Sequence, residues 1–240
     1  MRSREFLAER WTPSTVKDYF DSQHNNRISR KDFTITQPFD GCVMFRFRTI
    51  PDLTRAFFRM AEYHEGSRYR GTRPRAVTMS DFLDRFVDRQ GQVDYFRFWD
   101  GFNITDRSFR AWLKSAGDLA QGEQIIVDEI KRRTGAAPFC IVGVAGDDPA
   151  TQDHEIMHAM YYLKPDYRRA VDDLMDQFRT RSEYRTMKRV LKDRLQYGDH
   201  FDEEIAAYLT AGTQLGMVFG VNPRDWGRKF KALLHDHRPM

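Results

Sequence analysis

PFCIVGVAGDDPATQDHEIMHAMYYL, running from Pro138 to Leu163, sets the reading of the whole chain. Its opening, Pro138 to Gly146, is apolar and rich in branched side chains, which predicts a buried strand. Asp147 to Gln152 is turn-like, and Thr151 or Asp153 is placed to cap a following helix. Inside that helix stand His154, Glu155, Ile156, Met157 and His158, an instance of HExxH. Side chains four residues apart share a helix face, so the two imidazoles can grip one metal ion while Glu155 takes a proton from metal-bound water. Ile156, Met157, Met160 and Leu163 make the helix apolar around much of its circumference, which predicts an interior position. Buried imidazoles need partners, and a metal supplies one.

Two histidines alone hold zinc poorly, and a catalytic site usually adds a third protein ligand while leaving a position open for water. The segment Phe201 to Leu209, FDEEIAAYL, follows a break at Gly198 and reads as a new helix. On a helical projection Phe201, Ile205, Tyr208 and Leu209 form one apolar stripe, Asp202 and Glu204 lie on its borders, and Glu203 points away. Glu204 is the favoured third ligand. It precedes Tyr208 by one turn, so a carboxylate and a phenol project together, as ligand and as hydrogen-bond donor to a transition state. Glu183, Asp202 and His200 are reserve ligands.

A helical HEIMH followed by further helices and a glutamate in EEIAAY resembles the gluzincin branch of the zincin metallopeptidases, over at most residues 138–212. The resemblance implies that His154 and His158 are zinc ligands, Glu155 the general base and Glu204 the third ligand. The residues after His158, AMYYLKPDY, lack the third histidine of HExxHxxGxxH, which sets the chain apart from metzincins. The interval to Glu204 is also longer than the tightest gluzincin spacing. The expectation is a zinc-dependent hydrolase that cleaves a peptide or protein substrate with metal-activated water. Tyr208, Tyr161 or Tyr162 would donate to the developing oxyanion, and an extended substrate would pair with the edge of the 138–146 strand. Two alternatives stand beside it. The same His/His/carboxylate set suits Fe2+ in a non-haem oxygenase, which need not use Glu155; or the chain is a non-catalytic helical interaction module whose histidines are core residues.

The remaining sequence predicts a mainly helical α+β fold, with a small sheet beside the buried HExxH helix. Residues 1–135 form an N-terminal helical and strand region that lines the substrate groove, and residues 136–240 carry the metal site, the two packed as one globular unit. Helices are expected around Pro13–Asp21, from Pro51 through Tyr63, over Met79–Val87, Asp106–Lys114 and Gly122–Arg133, from Pro165, through Tyr184–Leu195, and over Pro223–His235. Ser22 to Phe33 reads as an exposed loop, Gly41 to Ile50 as a half-buried strand, and MVFGV, from Met217, as a short strand or turn. Tyr95 to Ile104, YFRFWDGFNI, is dense in aromatics and ends in a glycine-containing turn, with Asp100 and Asn103 as its notable polar members. His235 and His237 have metal-pair spacing but sit in what reads as a frayed C-terminal end.

Composition narrows the function classes. Forty percent hydrophobic and 14% aromatic residues indicate a folded globule. Thirty-nine Lys and Arg against 35 Asp and Glu leave a net charge of +4, too small for a dedicated nucleic-acid binder. No stretch approaches the length of a membrane span or of a signal-peptide core, so the cytoplasm is the expected compartment. Cys42 and Cys140 lie in apolar settings and read as core residues, not as a disulfide framework.

Overall fold

The computed structural model describes residues 28–69, 100–116, 119, 121–193, 200–212 and 215–238. The helices expected around Pro13–Asp21 and over Met79–Val87, and the aromatics from Tyr95 to Trp99, lie outside these residues.

A four-stranded sheet organises the rest. Its strands are β1 (Phe33–Thr36), β2 (Cys42–Phe47), β3 (Gly101–Thr105) and β4 (Cys140–Ala145), in the order β1-β2-β4-β3. β2 and β4 run parallel, with Cys42 opposite Cys140 and Phe47 opposite Ala145, while β1 and β3 pair antiparallel on the outside. Strands from either side of residue 135 therefore share one sheet.

Helices cover both faces. On one side lie α1 (Ile50–Tyr69), α2 (Asp106–Ser115) and α3 (Gln121–Arg133). There Val43, Phe45, Phe47, Phe102, Ile104 and Ile141 pack with Leu53, Phe57, Met60, Trp112 and Ile126. On the other side lie α4 (Pro149–Leu163), α5 (Pro165–Arg179), α6 (Ser182–Asp193), α7 (Phe201–Ala211), the short α8 (Leu215–Phe219) and α9 (Arg224–His237). There Met44, Val142 and Val144 meet Ile156, Met157, Met160, Ile205, Leu209 and Phe230. The fold is thus α+β and predominantly helical, as expected. Cys42 and Cys140 are free and fully buried on the α4 side, consistent with a core role. Among the described residues no helix is long and apolar enough to cross a membrane.

Several local expectations need correction. β2 is not half-buried: a strand at the centre of a sheet with helices on both faces has no solvent side, and only Arg46 keeps partial exposure, reaching Asp147 and Gln152. Phe33 opens a strand instead of ending a loop, and Gly101 opens β3 instead of a turn. The segment from Met217 belongs to α8, closed at Gly220, whose φ of 69° suits glycine. Nor is the C-terminal end frayed at His235, because α9 continues through His237, whose Nδ1 lies 3.1 Å from the Leu233 carbonyl oxygen.

The close approach of α1 to the sheet depends on Gly143 in β4. A Cβ there would lie 2.8 Å from Leu53 Cδ1 and 3.4 Å from Phe57. Gly143→Val is therefore expected to overpack this layer and lower stability by about 1–3 kcal/mol, measured by urea denaturation. An unchanged denaturation midpoint would contradict the packing described.

Candidate metal centre

HEIMH occupies the middle of α4, whose start is fixed by local chemistry. Asp148, not Thr151 or Asp153, is the N-cap: its carboxylate accepts from the backbone N–H groups of Ala150 and Thr151, each at 3.2 Å. Pro149 follows in the first turn, where its missing N–H costs nothing. The Thr151 hydroxyl stands within donating distance of Asp148, at 2.9 Å, and of Asp100, at 3.0 Å, and so links the entry of β3 to the start of α4. Ile156, Met157 and Met160 press onto β4 and the neighbouring helices, which turns His154 and His158 toward α7.

The two imidazoles converge. Their Nε2 atoms are 3.3 Å apart, and the rings meet edge to face at a centroid distance of 5.0 Å. From α7, Glu204 brings Oε1 to 3.6 Å from His158 Nε2 and Oε2 to 3.9 Å from His154 Nε2. The His158 and Glu204 side chains are only 1% and 4% exposed, and His154 is 17% exposed. Among the described residues this trio is the one gathering of His, Cys, Asp or Glu whose ligand atoms all lie within 4.8 Å of one another. Its dimensions fit zinc. Two nitrogens each about 2.0–2.1 Å from one tetrahedral zinc lie about 3.3–3.4 Å apart, so the nitrogen pair already has the required separation. The Glu204 oxygens, at 3.6 and 3.9 Å from the nearer imidazole nitrogen of each pair, stand a little farther out than that separation.

Around the trio the acids divide the work. Glu203, expected to point away, instead places Oε1 2.8 Å from His158 Nδ1. The projection failed because α7 lies against α4 over a broad face, so a residue flanking the apolar stripe still reaches the neighbouring helix. Asp202 is excluded as a ligand by its own partners, accepting from Arg179 and from the Tyr184 hydroxyl and so anchoring the start of α7 to α5 and α6. Glu183 bonds Ser182, and neither it nor His200 joins the cluster. Tyr208 does lie beside the site, with its ring edge to face against His154 at 4.9 Å and against Phe219 at 4.9 Å. Tyr161 and Tyr162 do not serve it: their hydroxyls donate to Asp172 and Asp106, both at 2.7 Å. Burial and these carboxylates hold both phenols above their ordinary range, Tyr162 at about 12.

Glu155 faces β3. Asn103 Nδ2 donates to its Oε2 at 3.0 Å, and Gly101 makes room for it, because a Cβ on that residue would lie 2.4 Å from Oε1. Gly101, like Glu203, is a residue of this site that sequence reading missed. Its signal was present: a glycine in a strand often marks a close approach of another group to the backbone. Burial pushes the Glu155 carboxyl up to about 7, against the pull of His158 and the Asn103 hydrogen bond, while Glu204 and Asp100 push further in the same direction.

The histidines are electrostatically unequal. Burial and the neighbouring His158 charge lower His154 to about 3, so its ring is neutral. Burial also opposes charge on His158, but Glu204, the Glu203 hydrogen bond and Glu155 together outweigh it and push that ring up to about 9. A protonated His158 turns its Nε2–H toward His154 Nε2, 3.3 Å away.

No protein-family model matches the chain, and no curated protein or solved structure is significantly similar to it.

The His158 proton carries a pH signature. A ring whose folded pKa of about 9 exceeds the ordinary 6.5 stabilises the fold fully below pH 6.5 and loses that contribution as pH rises through 9. Glu155, raised from 4.5 to about 7, acts in the same direction at lower pH, while the lowered His154 acts oppositely below 6.5. In chelator-treated protein the urea midpoint is therefore expected to fall between pH 7 and 9.5, and His158→Gln to remove most of that slope. A wild-type midpoint that rises across the interval would overturn the assignment of charge to His158.

Proposed function

We propose that the chain is a zinc-dependent hydrolase, acting as a metallopeptidase on a peptide or protein substrate. The observation that carries this reading is the convergence of His154 Nε2, His158 Nε2 and the Glu204 carboxylate from two helices, with Glu155 held beside them by β3. When bound, zinc supplies a Lewis acid that polarises a carbonyl and lowers the pKa of water toward neutrality.

The protein's own groups do the rest. Glu155 accepts the proton of the attacking water and delivers it to the departing amine nitrogen. Asn103 occupies Oε2 and leaves Oε1 to carry that proton. A carboxyl raised to about 7 is matched to exchange of a proton near neutral pH. Tyr208, packed on His154, donates to the oxygen on which negative charge develops.

The substrate's path differs from the expectation. β4 is paired on both sides and has no free edge, so an extended substrate cannot add to it. β3 is the outermost described strand on this side, and the strand that contacts Glu155. An extended peptide laid along β3 would run beside the strand that holds Glu155.

The Fe2+ oxygenase reading uses the same trio, but it gives no role to a buried Glu155 held in place by an asparagine and a glycine. A purely structural helix module is disfavoured by two Nε2 atoms that converge instead of bonding separate partners. Two free, buried cysteines fit a reducing compartment, in keeping with the cytoplasm.

Elemental analysis of protein purified without an affinity tag is expected to find about one zinc per chain. His158→Ala and Glu204→Ala should each lose it. Glu155→Gln should keep the zinc while hydrolysis of a mixed fluorogenic peptide library falls by about 100-fold or more. Zinc binding must also expel the His158 proton, so affinity is expected to rise about tenfold per pH unit up to about 9. Iron in place of zinc, or Glu155→Gln cleaving peptides at the wild-type rate, would sink the hydrolase reading.

A further inference from the structure

We infer that Glu203 is a positioning residue that fixes the ring of His158 and thereby sets the affinity of the metal centre, a role that rests on the zinc reading above. An imidazole offers either nitrogen to a metal, and which one is free depends on what the other nitrogen bonds. His158 is almost wholly enclosed, with its Nδ1 2.8 Å from Glu203 Oε1 and its Nε2 facing both His154 Nε2 and Glu204 Oε1. As a carboxylate Glu203 accepts from this ring, which places the hydrogen on Nδ1. The lone pair left when a metal binds is then at Nε2, on the side where the other two ligand atoms stand.

Neighbouring acids on α7 thus act at opposite ends of one imidazole. Successive helical residues diverge by about 100°, and His158 is wide enough to span that divergence, its Nδ1 held by residue 203 and its Nε2 facing residue 204. The hydrogen bond is charge-assisted and largely shielded, since the Glu203 side chain is only 14% exposed. Holding the ring in one orientation before the metal arrives removes that ordering cost from binding. A carboxylate on Nδ1–H also makes Nε2 a more basic ligand.

The experiment compares zinc affinity, by competition with a chelating dye, in wild type and in Glu203→Gln, Glu203→Ala and Asp166→Asn. Gln keeps an acceptor for Nδ1–H but loses the charge, Ala loses both, and Asp166→Asn removes a distant, exposed carboxylate from α5. Glu203→Ala is expected to bind one zinc about 10–100-fold more weakly, with Glu203→Gln between it and wild type, and Asp166→Asn unchanged. In the zinc-loaded protein a slowly exchanging His158 Nδ1–H resonance should persist in wild type and Glu203→Gln and disappear in Glu203→Ala. The near-isosteric Gln variant keeps the comparison open should the Ala variant fail to fold. Failure of wild type itself to bind zinc would overturn the zinc reading and this role with it. Zinc bound by wild type and both Glu203 variants within about threefold, with the Nδ1–H resonance intact throughout, would overturn the role alone.

Discussion

The arrangement of the site depends on one contact, the meeting of α4 and α7 at His158. Apart from this point the helices present apolar side chains to each other and to the sheet, Ile156 and Met160 from α4 and Ile205 and Leu209 from α7. Apolar packing of that kind is non-directional and tolerates small rotations and slides. The polar cluster does not. Burying two imidazoles and three carboxylates is expensive unless each charge finds an opposite one and each donor an acceptor. His158 meets that demand with Glu203 at Nδ1 and with His154 and Glu204 facing Nε2, which fixes the register and rotation of α7 against α4. The Asp202 contacts with Arg179 and Tyr184 extend the constraint to α5 and α6.

The sheet imposes the second constraint. α4 follows β4 after a short turn whose Gly146 has a φ of 68°, so the direction of the central strand sets the direction of the motif helix. β3 then pairs on the far side of β4 and brings Gly101 and Asn103 against Glu155. The motif helix therefore has its histidine face directed to α7 and its carboxylate face directed to β3. Consecutive residues diverge by about 100° on a helix, which is why His154 and Glu155 serve two different neighbours.

The parts legible in the sequence were those governed by local periodicity. The branched apolar run gave β4, the four-residue spacing gave a histidine pair on one face, and the stripe on α7 pointed to Glu204. The parts that escaped depend on partners distant in sequence. β1 and β3 are only four and five residues long, so the alternation in FTIT and GFNIT is too brief to announce strands; pairing with a central strand makes them so. Glu203 was misjudged because a helical projection knows the stripe but not how wide the contacting surface will be. Gly101 looked like a turn residue for the same kind of reason: only the arrival of Glu155 more than fifty residues later in the chain explains the missing side chain.

Gly101 also bears on the choice between the two metal chemistries. A strand glycine forfeits side-chain packing and conformational restriction, a cost of about 0.5–1 kcal/mol relative to alanine in a regular element. Burying an acid beside it adds a further cost, reflected in a carboxyl raised to about 7. Oxygen activation at iron asks for three ligands and open positions, and gains nothing from either expense. Proton transfer during hydrolysis gains from both, because a carboxyl titrating near neutrality, with one oxygen held and the other free, is suited to accept a proton and release it again. The stability given up at Gly101 and Glu155, the single acid of HEIMH, is what the proposed hydrolase would require.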